Sequence, residues 1–277
     1  MTRPMTAIHS PLGRLRWTFA DGLTLVGREL GRLRQEPGQI IAALAFPVIM
    51  VVLFGYVFGS AIPVPGGGDY REYLMPGLFA MVTFTAMQGV MGRMAADTSR
   101  GVMDRFRSMP MARLAVPFGH TGADTLIGLP LLAAMAGTGL LAGWQPHRGP
   151  IPAVEGFLLI MLARYALSWA GAYLGLLARN EQTVAQLVPL FLPITMTSNA
   201  FVPTDGMPRW LRFLADWNPV SALTAAARDL FGNPGTATSG HTAWPLAHPV
   251  AAVLLWSAAL LVVFVPLTLR AYIRTGR

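Results

Sequence analysis

No cysteine occurs in the chain, which excludes disulfides, thiolate metal sites and a cysteine nucleophile and leaves the redox compartment open. No lysine occurs either. The phosphate-binding Gly-x-x-x-x-Gly-Lys-Ser/Thr loop is therefore excluded, and any ATP that drives this protein must be bound by another chain. Charge is scarce, at 12% of 277 residues, where an ordinary soluble domain has about a quarter. Beside a hydrophobic share of 53%, that deficit points to lipid as the solvent. All 21 basic residues are arginine, against 13 acidic ones. A net charge of +8 would suit nucleic acid only with far more polar surface than this chain has, so no nucleic-acid partner is expected. Arginine without lysine, with abundant alanine and glycine, suggests a GC-rich bacterial genome.

Catalytic constellations are missing too. There is no His-Glu-x-x-His motif, and the histidines (His9, His120, His147, His241, His248) are scattered. No acidic pair falls near mid-membrane, and the serines and threonines have no evident base. The chain is expected to be no enzyme and to bind no cofactor or metal.

What is present is a set of long apolar runs. A helix needs about 20 largely apolar residues to cross the roughly 30 Å hydrocarbon layer, where no water satisfies an exposed backbone. Six stretches qualify: Gln39–Gly59, Tyr73–Gly92, Thr121–Gly143, Ala153–Leu177, Val184–Pro203 and His248–Leu269. Pro47, Pro130, Pro189, Pro193 and Pro266 lie inside them and read as kinks in a membrane bundle. The expected fold is an all-α integral membrane protein with six transmembrane helices over residues 39–277, preceded by a cytoplasmic segment over residues 1–38.

Arginines stay on the cytoplasmic side. An inside N-terminus puts Arg3, Arg14, Arg16, Arg28, Arg32, Arg34, Arg93, Arg100, Arg105, Arg107, Arg113, Arg179, Arg270, Arg274 and Arg277 in the cytosol. Arg71, Arg148, Arg209, Arg212 and Arg228 then fall outside, and that imbalance places both termini in the cytoplasm.

The first 38 residues do not read as a cleaved signal peptide, because Asp21 and Gly22 break their apolar part. Phe19, Leu23, Val26, Leu30 and Leu33 fall on one helical face, with Arg28 and Arg32 opposite, as in an amphipathic helix lying in the headgroup layer. A helix packed only on protein is the alternative. Between Pro203 and His248 the chain is too long for a plain connection, and Trp210, Trp217 and Trp244 suit a membrane interface. A helix over Val220–Phe231 after the Asn218-Pro219 break, within a re-entrant or surface-lying hairpin, is expected there.

Two places carry candidate function. "RGVMDRFRSMPMAR", Arg100–Arg113, is a basic interruption between apolar runs. On a helical projection Val102, Phe106 and Met109 lie within about 40 degrees of one direction, with Asp104, Arg107 and Ser108 opposite and Pro110 ending the turn. An apolar edge in a basic helix fits the groove of a partner with an acidic rim. Arg100, Val102, Asp104, Arg105, Phe106, Arg107 and Met109 are the candidate docking residues. A basic loop that only fixes topology is the bland alternative. The second place is Arg164, the one ionisable residue deep in a span, which must face protein or water. It serves either an anionic substrate group or free backbone carbonyls, such as those released by the prolines of the fifth span. His120 and Asp124, one turn apart, read as a solvated helix end.

Taken together, "RQEPGQIIAALAFPVIMVVLFGYVFG" (Arg34–Gly59), the Arg100–Arg113 stretch with "FGHTGAD" after it, "GLLARNEQTVAQ" (Gly175–Gln186) and "SNAFVPTDGMPRWLRFLADWNPVSALTAAARDLFGNP" (Ser198–Pro234) resemble the ABC-2 type permeases, in particular the daunorubicin/doxorubicin-resistance permeases. That resemblance implies two permease chains paired with two copies of a separate ATPase subunit, which holds ATP and magnesium. The assembly would sit in a bacterial inner membrane and export an amphiphilic small molecule. It also implies an interfacial helix before the first span, a coupling helix between the second and third, and re-entrant helices before the sixth. An ion-coupled secondary transporter would want titratable groups at mid-membrane, and an intramembrane enzyme paired catalytic residues; both remain as rivals.

Overall fold

The computed structural model describes residues 22–29, 31, 37–57, 69–103, 105, 114–202, 204–235 and 243–274. Among these the secondary structure is helical throughout, with no strand. The order is α1 (22–29), α2 (Pro37–Val57), α3 (Tyr70–Ser99), α4 (Ala115–Leu141), α5 (Pro150–Ala178), α6 (Glu181–Leu187), α7 (Leu192–Met196), α8 (Arg209–Asp216), α9 (Pro219–Phe231), α10 (Trp244–Ala247) and α11 (Pro249–Arg274). Short 3₁₀ turns lie at Val188–Phe191 and Thr204–Gly206.

Four of these helices, α3, α4, α5 and α11, are long and apolar enough to cross a membrane. α2 adds 21 residues without a charge. The fifth apolar stretch differs from the expected continuous span: it is broken into α6, a 3₁₀ turn and α7 before a non-helical turn at 197–202. Pro189 and Pro193 are the cause, since each removes a helical N–H donor and crowds the carbonyl four residues back. The Pro189 carbonyl, which Pro193 has no N–H to serve, accepts from Leu192 N instead, and beyond it hydroxyls bond back to the chain. Thr195 Oγ1 donates to Leu192 O at 2.9 Å and Ser198 Oγ to Thr195 O at 2.6 Å.

α3 is the hub, buried along most of its length between α4, α5 and α9. Its closest neighbour is α5, and the reason is a pair of small residues. Gly171 and Gly175 sit one turn apart, and a Cβ on either would collide with the backbone of α3 at Met87 or Met91. Backbones approach this closely in membranes through such small-xxx-small pairs. At one end of the bundle Phe79, Trp144, Phe157 and Phe231 form an edge-to-face cluster. α11 lies on the outside, with Leu254, Leu255, Val262 and Val263 exposed, an apolar face that suits acyl chains.

α9 starts and stops where its sequence says. The Asn218 side chain accepts from Val220 N, Pro219 occupies the first turn, and Gly232 closes the helix at a φ of 72°, in the left-handed region that favours glycine. Asn218 also reaches across the break in the preceding stretch: its Nδ2 donates to Ile194 O and Thr197 O, both at 2.6 Å.

Candidate functional site

α3 ends at Ser99, and Arg100 takes the cap position with its amide bonded to the Ala96 carbonyl. Arg100 Nη2 pairs with Glu181 Oε1 at 3.0 Å, so the start of the candidate docking stretch is tied to the first turn of α6. Gly101 turns the chain at a φ of 67°. Val102 is partly buried and Arg105 exposed. Asp104, Phe106, Arg107 and Met109 lie outside the described residues. Met103, absent from the projected apolar edge, is fully buried against Leu25, Val90, Met94, Val116 and Tyr272. It anchors the stretch to the bundle, and a single turn of sequence gives no sign of which apolar residue will do so.

Arg164 is 3% exposed and points at α4. Its Nη2 lies 2.8 Å from Asp124 Oδ2, and the other oxygen, Oδ1, accepts from Arg93 Nη2 at 2.7 Å. Nε and Nη1 donate to the carbonyls of Asp124 and Val82, both at 3.3 Å. One aspartate thus joins arginines from α3 and α5. Gly128 makes the room, because a Cβ there would overlap the Arg164 guanidinium. The carbonyls that Arg164 meets belong to α3 and α4, away from the prolines of the fifth stretch.

The reading of His120 and Asp124 as a solvated helix end is corrected: each is 2% exposed. Both are held inside by charge from other helices, Asp124 as just described and His120 by Glu29 of α1 and Asp97 of α3. Leu25 and Val26 bury themselves against Gly119 and Gly122 of α4, while Leu23 of the projected apolar face is exposed.

Arg228, counted from sequence as an external arginine, is fully buried. Nε and Nη2 donate to Tyr73 O at 3.1 and 2.9 Å, and Nη2 also to Asn199 O and Ala200 O at 3.0 and 3.2 Å. Its guanidinium stacks over the Tyr73 ring, 3.6 Å from the centroid. Arg228 and Asn218 together satisfy the turn at 194–200, and this is what lets irregular backbone pack inside the bundle. The available signal was position: an arginine amid apolar residues in the last turn of a short helix.

The comparisons agree with this architecture. The profile of the ABC-2 type transporter family matches residues 22–231, from α1 to the end of α9. The daunorubicin resistance ABC transporter permease protein DrrB1 of Streptomyces coeruleorubidus is 32% identical over 253 residues, 90% of this chain and 85% of that protein. The doxorubicin resistance ABC transporter permease protein DrrB of Mycobacterium tuberculosis is 28% identical over 236 residues, 82% of this chain and 80% of that one. A putative transport permease, ycf38 of Porphyra purpurea, is 22% identical over 213 residues, 76% and 73% of the two chains. A family match across most of an all-helical chain with several apolar spans, and without a phosphate loop, leaves one assignment: the chain belongs to the ABC-2 type transporter family, as the multi-pass membrane permease subunit that works with a partner ATPase.

Proposed function

We propose that the chain exports an amphiphilic small molecule, drug-like or lipid-like, from the cytoplasm, driven by ATP hydrolysed with magnesium on a separate subunit. The observation that carries this reading is the likeness, across nearly the whole chain, to permeases named for daunorubicin and doxorubicin resistance. The chain crosses a bacterial inner membrane six times, counting α2 and the broken fifth stretch, with both termini in the cytoplasm and residues 1–38 forming a separate N-terminal segment. A second copy completes the pathway. The ATPase docks on the Arg100–Arg113 stretch, and its motion enters through Met103 and the Arg100–Glu181 pair, both of which join that stretch to the helices. Arg164 contributes to the pathway by holding its walls together.

An aromatic anchor at the centre of an interface costs about 2 kcal/mol or more when truncated. Phe106→Ala is expected to leave the permease inserted and dimeric while weakening co-purification with its ATPase and lowering export. Wild-type levels of both would remove Phe106 from the docking site.

A further inference from the structure

Three buried ionisable side chains meet where α1, α3 and α4 converge, and the Arg93–Asp124–Arg164 network uses none of them. Glu29 comes from α1, Asp97 from the end of α3 and His120 from the start of α4, each at most 3% exposed. Donor atoms of the three lie within 4.8 Å of one another, a spacing that invites a metal ion. The orientation of the ring argues for a proton instead. His120 turns Nδ1 toward Glu29 Oε2 at 3.8 Å and Nε2 toward Asp97 Oδ2 at 3.3 Å, so its two nitrogens serve different carboxylates. A cation shared by both carboxylates would take one nitrogen only. Arg28 faces the same two groups from the other side, with Nη1 3.7 Å from Glu29 Oε1 and Nη2 3.6 Å from Asp97 Oδ2. Two acids therefore alternate with a guanidinium and an imidazole.

A neutral imidazole has one N–H, and an imidazolium has two. Only the second can donate to both carboxylates. Glu29 Oε1 and His120 Nδ1 are buried without a hydrogen-bond partner, and the Nδ1–Oε2 gap must close from 3.8 Å by roughly half an ångström or more to become a hydrogen bond when both nitrogens carry hydrogen. Besides these ions, among the described residues Leu25 and Val26 pack on Gly119 and Gly122, Gly22 lies against Phe118, and Leu25 joins the apolar cluster around Met103.

We propose that His120 is a proton-operated latch: as the imidazolium it bridges Glu29 and Asp97 and clamps α1 to the bundle, and losing the proton as pH rises releases α1. Among the described residues, the charged and titratable groups around it are few. Arg28 and Glu29 face it from α1 and Asp97 from α3. Asp124 lies one turn along α4, occupied by Arg93 and Arg164, and α11 brings Tyr272 into the adjoining apolar cluster. A docked α1 carries one proton more than a released one, so the docked-to-released ratio falls with rising pH, by at most about tenfold per unit.

The absence of native cysteine allows a clean test. Spin labels at Leu23→Cys on α1 and Leu177→Cys at the end of α5, both exposed positions, report their separation in the full chain in phospholipid nanodiscs. A narrow distance distribution at about pH 6 is expected to broaden and lengthen at about pH 8. His120→Gln should give the broad distribution at both, and Glu29→Gln should lose the response to pH while keeping the side chain's shape. An unchanged wild-type distribution, or a response that survives in both variants, overturns the latch. Recovery of the narrow distribution on adding zinc at the higher pH overturns it in favour of a metal site.

Discussion

Asp124→Ala and Arg164→Met make a sharp pair of perturbations, because they remove opposite ends of one buried contact and should cost very different amounts. Asp124→Ala leaves Arg164 inside the bundle, with its side chain 4% exposed and no other carboxylate paired with it among the described residues. Breaking a buried pair from one side in this way costs about 3–5 kcal/mol. Arg164→Met removes the buried cation and fills much of its volume. Asp124 then keeps Arg93 at 2.7 Å, and the Val82 and Asp124 carbonyls lie inside helices that already supply donors. The loss reduces to a few net hydrogen bonds at about 1 kcal/mol each, partly offset by the desolvation no longer required. The two variants should therefore differ by about 1.4 kcal/mol or more, a tenfold difference in the unfolding constant. In the double variant Arg164→Met, Asp124→Asn, only Arg93 loses its partner. Its side chain is 24% exposed and can turn outward, so the double variant should be more stable than Asp124→Ala alone. Equilibrium unfolding in mixed micelles, followed by tryptophan fluorescence, measures all three, with export assayed alongside. Arg164→Met as costly as Asp124→Ala would refute the ion-pair arithmetic. Arg164→Met at wild-type stability with export abolished would refute the structural role and return Arg164 to the substrate.

Gly171→Ala should destabilise by about 1–3 kcal/mol, because its Cβ would overlap the Met87 carbonyl and force α5 off α3. Gly137→Ala, with nothing within 4 Å of the new Cβ, should be neutral or stabilising in the same unfolding measurement. Equal behaviour of the two would show that α3 and α5 are not in backbone contact. Asn218→Ala removes an N-cap and the donors to Ile194 O and Thr197 O, and should cost about 2 kcal/mol or more. Hydrogen exchange at α7 and at the first turn of α9 should rise together, and protection unchanged at α7 would contradict the link.

The parts of this fold that are legible in the sequence are those set by local composition. Long apolar runs become α3, α4, α5 and α11, and Asn218-Pro219 opens α9 where capping chemistry requires it. Arg100–Arg113 was singled out by charge, and its described residues, 100–103 and 105, follow the end of α3. The charged interior was illegible for a physical reason. His120, Asp124 and Arg228 are residue types that usually mark water, and each is buried by partners far away in the chain: Glu29 and Asp97, Arg93 and Arg164, and the carbonyls of Tyr73 and Asn199. No window of sequence contains both halves of such a pair. The break at Val188–Phe191 was visible as two prolines, but prolines alone do not separate a kinked span from an interrupted one.

The central claim is that this permease moves an amphiphile with energy supplied by another chain's ATP hydrolysis. Its most direct test is uptake of a fluorescent amphiphilic drug into inside-out membrane vesicles holding the permease with its ATPase, compared with vesicles whose ATPase has lost its phosphate-loop lysine. ATP-dependent uptake that disappears with that lysine and is indifferent to protonophore is the expected result. Uptake that persists with the dead ATPase and collapses with protonophore would contradict the account and make the chain an ion-coupled transporter.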